Sequence, residues 1–328
     1  MRRSHLATIA AVAAVIASIS GNSASSELLK ARLAQNLYPG SGIVIVAKAR
    51  GLFEKHGLDI TVSNFTSGLQ CLNTVIGGGA DIATTAEAPT TAAAMAHQPI
   101  AFLARMEYSD LKTVASVTSG IKTKPDLKGK KIAFTAGTGS EVYTATLLKE
   151  AGLTPNDVTL VNLRPQEMLA ALSAGSIDAM DTWEPYIANA KKALGDKVIE
   201  IDTKGVYSET FNIVVMRPYL AQNEELIEKF IAAMIDAETW MKANPGDAIT
   251  VVSQAVGMNR DELAALWDDY VYHVVLDDKQ VAILKAHAAW RLASGNHPPD
   301  ATMPDFLKVI DDKPLKNVDP SRVTYSGS

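Results

Sequence analysis

The sequence predicts an α/β protein of two lobes that close like a clam-shell, each lobe a mostly parallel sheet with flanking helices. Three observations carry that expectation. The order loop, helix, strand, loop, helix, strand runs over residues 38–104 and recurs after residue 126 as far as 184. Strands alternating with helices of this length favour parallel pairing through crossover helices. At 328 residues the chain exceeds the size at which one hydrophobic core usually stops growing. No linker rich in Gly, Pro or Ser separates the halves, which favours a hinge over beads on a string.

In order, residues 28–33 read as a strand leading into the loop Tyr38-Pro39-Gly40-Ser41-Gly42. A helix over 43–56 stops at Gly57-Leu58, and a strand over 59–62 ends in the polar loop 64–68. The next helix runs through Ile76 to a glycine triplet at 77–79. Residues 80–84 form a short buried strand entering Thr85-Ala86-Glu87, before a helix over 89–97 and a strand over 100–104. The second unit has a strand over 131–134, a small hydroxylated loop over 135–140 and a helix over 140–151, ended by Gly152. A strand over 158–162 follows, and Pro165 opens a helix over 166–174 at its favoured first position. Residues 177–180 then run as a strand into Asp181-Thr182-Trp183-Glu184.

Two apolar, β-branched segments, 114–119 and 212–216, flank the second unit and read as strands crossing between lobes. Lobe 1 is then discontinuous (27–115 and 213–328), and lobe 2 spans 116–212. The C-terminal part is helical: over 224–242, Leu226, Ile227, Phe230, Ile231, Met234 and Met241 share one face. Further helices are expected over 260–269 and 279–293, and the polar residues 311–328 read as a solvated tail.

At the N-terminus, Arg2 and Arg3 precede an apolar run over 6–19 and small polar residues up to Ser26. This is the order of a cleaved secretory signal peptide, assigned to residues 1–26, and it predicts a periplasmic protein. The run is short for a membrane span. A net charge of −5 argues against nucleic acid or an anionic membrane as partner. A single cysteine, Cys71, excludes an internal disulfide and a thiolate metal cluster, and its apolar helix pattern predicts a buried thiol. None of the six histidines pairs at metal-ligand spacing, and no nucleophile motif occurs. No enzyme activity, metal or cofactor is expected.

Polar residues gather instead on loops at strand ends: Tyr38 and Ser41, Thr66 and Ser67, Thr85 and Glu87, Gly137, Thr138, Gly139 and Ser140, and Asp181, Trp183 and Glu184. These loops would open on one crevice, where open α/β sheets bind ligands. The helix beginning at Ser140 offers unpaired N–H groups and partial positive charge, a seat for an anion, or else an ordinary capped connection. Trp183 is either a clamp for an apolar or cationic group or a core residue. Arg105 and Arg164 either bind an anion or form salt bridges.

Four blocks occur in order over about residues 28–220: Ala49-Arg50-Gly51-Leu52-Phe53-Glu54-Lys55-His56-Gly57-Leu58-Asp59-Ile60, Gly79-Ala80-Asp81-Ile82-Ala83, Asp126-Leu127-Lys128-Gly129-Lys130-Lys131-Ile132, and Ile177-Asp178-Ala179 followed by Trp183-Glu184-Pro185. With them the chain resembles the periplasmic solute-binding proteins of ABC importers in the nitrate/sulfonate/taurine, NMT1/THI5-like group. The resemblance implies a type II periplasmic-binding-protein fold, a small ligand held between the lobes, and a membrane permease with its ATPase as partners. It implies a sulfonate- or taurine-like anion held by hydroxyls and helix N-termini, with Ser67, Thr85, Thr138 and Trp183 at binding positions and Glu184 suited to an amine. A thiamine-precursor-type pyrimidine, stacked on Trp183 with carboxylates at its amino group, is the alternative. A pyrimidine synthase shares this fold, but its cysteine-rich signature is absent; a sensor role would use the same closure.

Overall fold

The computed structural model describes residues 27–326, so the expected signal peptide lies outside the described residues. Two sheets organise the chain. The first has six strands in the order β11-β4-β10-β3-β1-β2: β1 is Leu29–Asn36, β2 Leu58–Phe65, β3 Ile82–Ala86, β4 Ile100–Asp110, β10 Ser208–Met216 and β11 Val271–Val275. The second has five in the order β7-β6-β8-β5-β9: β5 is Lys112–Ser116, β6 Lys131–Phe134, β7 Thr159–Asn162, β8 Ala179–Thr182 and β9 Val198–Glu200. Two lobes of α/β type result.

Each lobe is built on the predicted repeat. In lobe 1, β1 pairs in parallel with β2 and β3, and in lobe 2 β6 does so with β7 and β8. Helices cross between these strands, and local chemistry fixes their ends. Ser67 accepts a hydrogen bond from the Gln70 amide and starts the helix Gly68–Ile76, while Pro165 opens Pro165–Ser173. Around each parallel trio the remaining strands run antiparallel, so the sheets are mixed where the sequence suggested mostly parallel ones. The reason is topological: strands arriving from the other lobe and from the C-terminal segment enter from the opposite end.

The chain passes between sheets twice, from β4 to β5 through Leu111 and from β9 to β10 through residues 201–207. The two passages are tied together. Leu111 N donates to Tyr207 O at 3.3 Å and Ile201 N to Thr113 O at 3.2 Å. The Asp110 carboxylate accepts from Gly205 N at 3.0 Å and from Ser208 Oγ at 2.5 Å.

Several expected elements differ from those observed. The helix expected over 43–56 is broken into Gly42–Ala49 and Leu52–Lys55 by Gly51, whose φ of 64° ends helical geometry. The segment 114–119 is β5 followed by a tight turn at Val117–Ser119. β4 and β10 extend well beyond the residues expected of them. The helix Pro245–Val256 and strand β11 were not anticipated.

The residues expected to form a solvated tail are instead anchored. Leu315 is fully buried, Tyr325 nearly so, and Val323 pairs with Leu276. Arg322 Nη1 reaches the buried Glu238 carboxylate at 2.6 Å. Few but large apolar residues suffice to fix this segment to lobe 1.

Candidate functional site

The C-terminal ends of β1 and β3 and the middle of β4 and β10 form the floor of the cleft on the lobe 1 side. Phe211 on β10 stands opposite Glu107 on β4, and Asn212 opposite both Thr85 on β3 and Arg105 on β4. Tyr38, just past β1, lies edge-on to Phe211 with centroids 4.7 Å apart, and its hydroxyl donates to Glu107 Oε2 at 2.9 Å. Four acceptors in this row are buried without a partner: Asn36 Oδ1, Thr85 Oγ1, Asn212 Oδ1 and Glu107 Oε1.

Glu87 begins the helix Glu87–Met95. Its carboxylate accepts from the Thr210 amide at 2.7 Å, from Thr210 Oγ1 at 2.8 Å and from the Tyr207 hydroxyl. His287 Nε2, on the helix Asp278–Ser294, is 2.9 Å from that hydroxyl. Burial holds His287 neutral, its pKa lowered to about 3. Glu209, on β10, completes a trio of buried acids. Desolvation raises the pKa of all three, Glu107 to about 8, and Glu209 is raised further by the charges of Glu87 and Glu107.

Lobe 2 faces this floor with the loop that ends β6. Thr138 caps the helix Gly139–Glu150, accepting from Ser140 N and donating to Thr135 O at 2.7 Å. Gly137 has a φ of 76°, and a side chain there would press on Leu69 of lobe 1. The carboxyl group of Glu209 packs against the backbone of Gly139, and any Cβ at position 139 would collide with it. The anion seat expected at this helix end therefore holds an acid of the opposite lobe. Ser140 is fully buried, its hydroxyl donating to Asp181 O at 2.7 Å.

Trp183 and Glu184 line a narrow hollow with Tyr38 and Tyr270 of lobe 1. Trp183 stacks edge-on against Tyr186, and its Nε1–H is buried without an acceptor. Glu184 is largely buried, which raises its pKa, and accepts from Ala188 N at 2.8 Å. At the mouth, Thr66 and Ser67 face Thr135 and Arg164 across a hollow of about 280 Å³.

The structure thus brings Tyr38, Trp183 and Glu184 around one narrow interlobe hollow, and sets Gly139 of lobe 2 against Glu209 of lobe 1. Other expected site residues are spent on internal bonds. Ser41 donates to Asn36 O at 2.6 Å, and Thr66 bonds Gln70. Asp181 accepts from Thr113 and Thr144 hydroxyls, each at 2.7 Å, inside lobe 2. Arg105 pairs with Asp277 and Arg164 with Glu167, so both are salt-bridged. Glu107, Glu209, Phe211, Asn212 and Tyr270 were not singled out from the sequence. The signal available was a pair of glutamates inside otherwise β-forming runs. Cys71 is buried as expected, and burial pushes its thiol up. Among the described residues no helix is long and apolar enough to cross a membrane, and no cluster of three metal-ligating side chains occurs.

Known proteins share this fold. A taurine-binding periplasmic protein of Escherichia coli is 28% identical over 204 residues, 61% of this chain and 63% of that protein. A 4-amino-5-hydroxymethyl-2-methylpyrimidine phosphate synthase of Saccharomyces cerevisiae is 26% identical over 216 residues, 62% and 63% of the two chains. The crystal structure of the periplasmic aliphatic sulphonate binding protein SsuA from Escherichia coli superposes with a TM-score of 0.72 at 24% identity, covering 87% of this chain and 92% of that one. The match to such binding proteins agrees with the two-lobed fold described above. Residues 39–248, more than half of the chain, match the family described as NMT1/THI5 like, and the protein belongs to that family.

Proposed function

We propose that this protein is the extracytoplasmic solute-binding component of an ABC importer, capturing a small organic solute between its lobes and presenting the closed form to a membrane permease and its ATPase. The observation that carries the reading is the approach of buried polar and aromatic side chains from both lobes: Tyr38, Glu107 and Glu209 from one, Trp183 and Glu184 from the other, with Glu209 against the Gly139 backbone. A solute that touches both sets favours the closed state by its differential affinity for that state. Membership of a family that includes a periplasmic taurine binder supports the same role and a periplasmic location.

The expected ligand was a sulfonate- or taurine-like anion; a pyrimidine-type solute was the alternative. The second is favoured by specific features, the aromatic pair Tyr38 and Trp183 and the carboxylates beside them. A thermal-shift screen of residues 27–328 tests the binding role. The panel holds taurine, alkane- and arylsulfonates, nitrate, bicarbonate, aminopyrimidines, amines and amidines. A solute at a hundred times its dissociation constant adds about 2.7 kcal/mol, a shift of several degrees. A panel with no stabilising solute would count against the binding role.

A further inference from the structure

We infer that the interlobe cleft selects organic cations, protonated amines or amidines, and that Glu209 excludes anionic solutes by filling the helix end they would need. The inference rests on the solute-binding reading and specifies its ligand class.

The charge arrangement is one-sided. Glu87, Glu107 and Glu209 are each buried. His287 lies 3.4 Å from Glu87 and is kept neutral by burial. Arg105 holds Asp277, Lys112 holds Asp269 and Arg164 holds Glu167, while Arg291, one turn past His287, bonds only Asn296. An incoming sulfonate would meet these three acids. A buried carboxylate with no cationic partner is costly, and a protonated amine brought beside it supplies the missing charge.

The unpartnered polar atoms point to the same class. Glu107 Oε1, Asn36 Oδ1 and Asn212 Oδ1 are acceptors buried without donors. The Asn212 amide nitrogen is already bonded to Thr210, which sets the orientation of its oxygen. An ammonium or amidinium group carries several N–H donors and satisfies such a set, whereas a sulfonate has none. Tyr38 and Trp183 add ring faces or edges to frame the rest of the solute.

Glu209 does two things in this arrangement. Its carboxyl group belongs to the acid cluster of the cleft and also packs against Gly139 at the start of the helix Gly139–Glu150. An anion could use that helix end only by displacing the tethered Glu209 side chain, whose effective concentration is high.

Binding of a cation also releases protons, because Glu107 and Glu209 hold theirs more firmly in the buried cleft than exposed carboxyls do. The groups facing Glu209 are Glu87 from the helix Glu87–Met95, Glu107 from β4, Tyr38 after β1, Tyr207 before β10 and the Gly139 backbone. Arg105 lies behind Glu107 and draws its pKa down against the effect of burial.

The test is calorimetry on residues 27–328 at pH 8 and pH 5.5, in two buffers of different ionisation enthalpy. The probes are agmatine, benzamidine and methylammonium against ethanesulfonate, benzenesulfonate and nitrate. At least one cation should bind, with proton release and weaker affinity at pH 5.5. Glu209→Gln and Glu107→Gln should each lower that affinity about tenfold or more, a loss of roughly 1.4 kcal/mol or more. Glu209→Ala should gain measurable ethanesulfonate binding, a change that general loosening of the fold would not produce. If the wild-type chain binds a sulfonate or nitrate and no cation, the inference falls while the binding role stands. If both Gln variants bind the cation as the wild type does, the inference also falls. Silence of both charge classes would overturn the inference, and the binding role would then rest on the wider thermal-shift panel.

Discussion

Replacing Asp181 by Asn should stabilise the protein at neutral pH. Asp181 is fully buried in lobe 2, where burial lifts its pKa from 3.8 to about 6 despite hydrogen bonds from Thr113 and Thr144. Because the folded pKa is raised, the native state keeps a proton that the unfolded state has lost between about pH 4 and pH 6. Stability from this group is therefore complete below pH 4 and is lost as pH rises through 6. A shift of roughly two units corresponds to about 3 kcal/mol at neutral pH. Asn keeps the shape and the bonds. Its oxygen accepts from Thr113 Oγ1, which already takes the Tyr143 hydroxyl at 2.7 Å. Its amide donates to Thr144 Oγ1, whose own proton has Ser140 O as an acceptor at 2.9 Å. Urea unfolding of Asp181→Asn and wild type at pH 4 and pH 7.5 reads the effect. The two should be alike at pH 4, and the variant should be more stable at pH 7.5 by up to about 3 kcal/mol. A variant less stable than wild type at pH 7.5, or a difference that does not change with pH, would refute the reasoning. Solute affinity should stay unchanged, since both carboxylate oxygens are engaged within the lobe.

Three further outcomes follow from the contacts described. Gly139→Ala places a methyl against the Glu209 carboxylate, so the closed arrangement should be disfavoured. Small-angle scattering should show a larger radius of gyration for the free variant, and solute affinity should drop. Arg322→Ala removes the guanidinium from Glu238, a carboxylate only 1% exposed, leaving Lys242 and the Val274 amide as its partners. A loss of about 3 kcal/mol in denaturant unfolding is expected, which a solvated tail would not give. Tyr207→Phe removes one donor from buried Glu87 and strands His287 Nε2; a loss of roughly 1–3 kcal/mol is expected, and an unchanged midpoint would contradict the account.

The alternation of strands and helices was legible because each depends on short-range signals: Ser67 as a cap, Pro165 at a first turn, glycines at 152 and 175 as stops. The strands that matter most were cut short. Reading β4 as ending at Ala104 and β10 as beginning at Asn212 follows from apolar content, which fails where Arg105, Glu107 and Glu209 enter the sheet. Polar residues are tolerated there because the backbone ladder continues and the side chains meet in the cleft. Glu107, Glu209 and Phe211 were therefore missed both as strand and as site residues. Thr138 and Trp183 were singled out because they follow strand ends on loops, where sequence reasoning looks for ligands. The neighbour of the Gly139 backbone was not, since nothing local relates residue 139 to 209. The C-terminal anchoring escaped for a similar reason. Leu315 and Tyr325 are too far apart to form a periodic face, yet each finds a ready-made groove.

The paired crossings at Leu111 and at residues 201–207 have a mechanical consequence. Two straps bonded side by side, with Asp110 clipping one to the other, resist twisting and sideways sliding far more than bending about the line that joins them. Like a door hung on two pins, the molecule has one easy swing. Glu209 sits on the strand that leaves one of those pins, a short lever arm from the axis, so small rotations move it on or off the Gly139 backbone while the far rims at Thr66 and Arg164 travel much further. The least movement thus occurs where charge is read, and the greatest where a solute must pass.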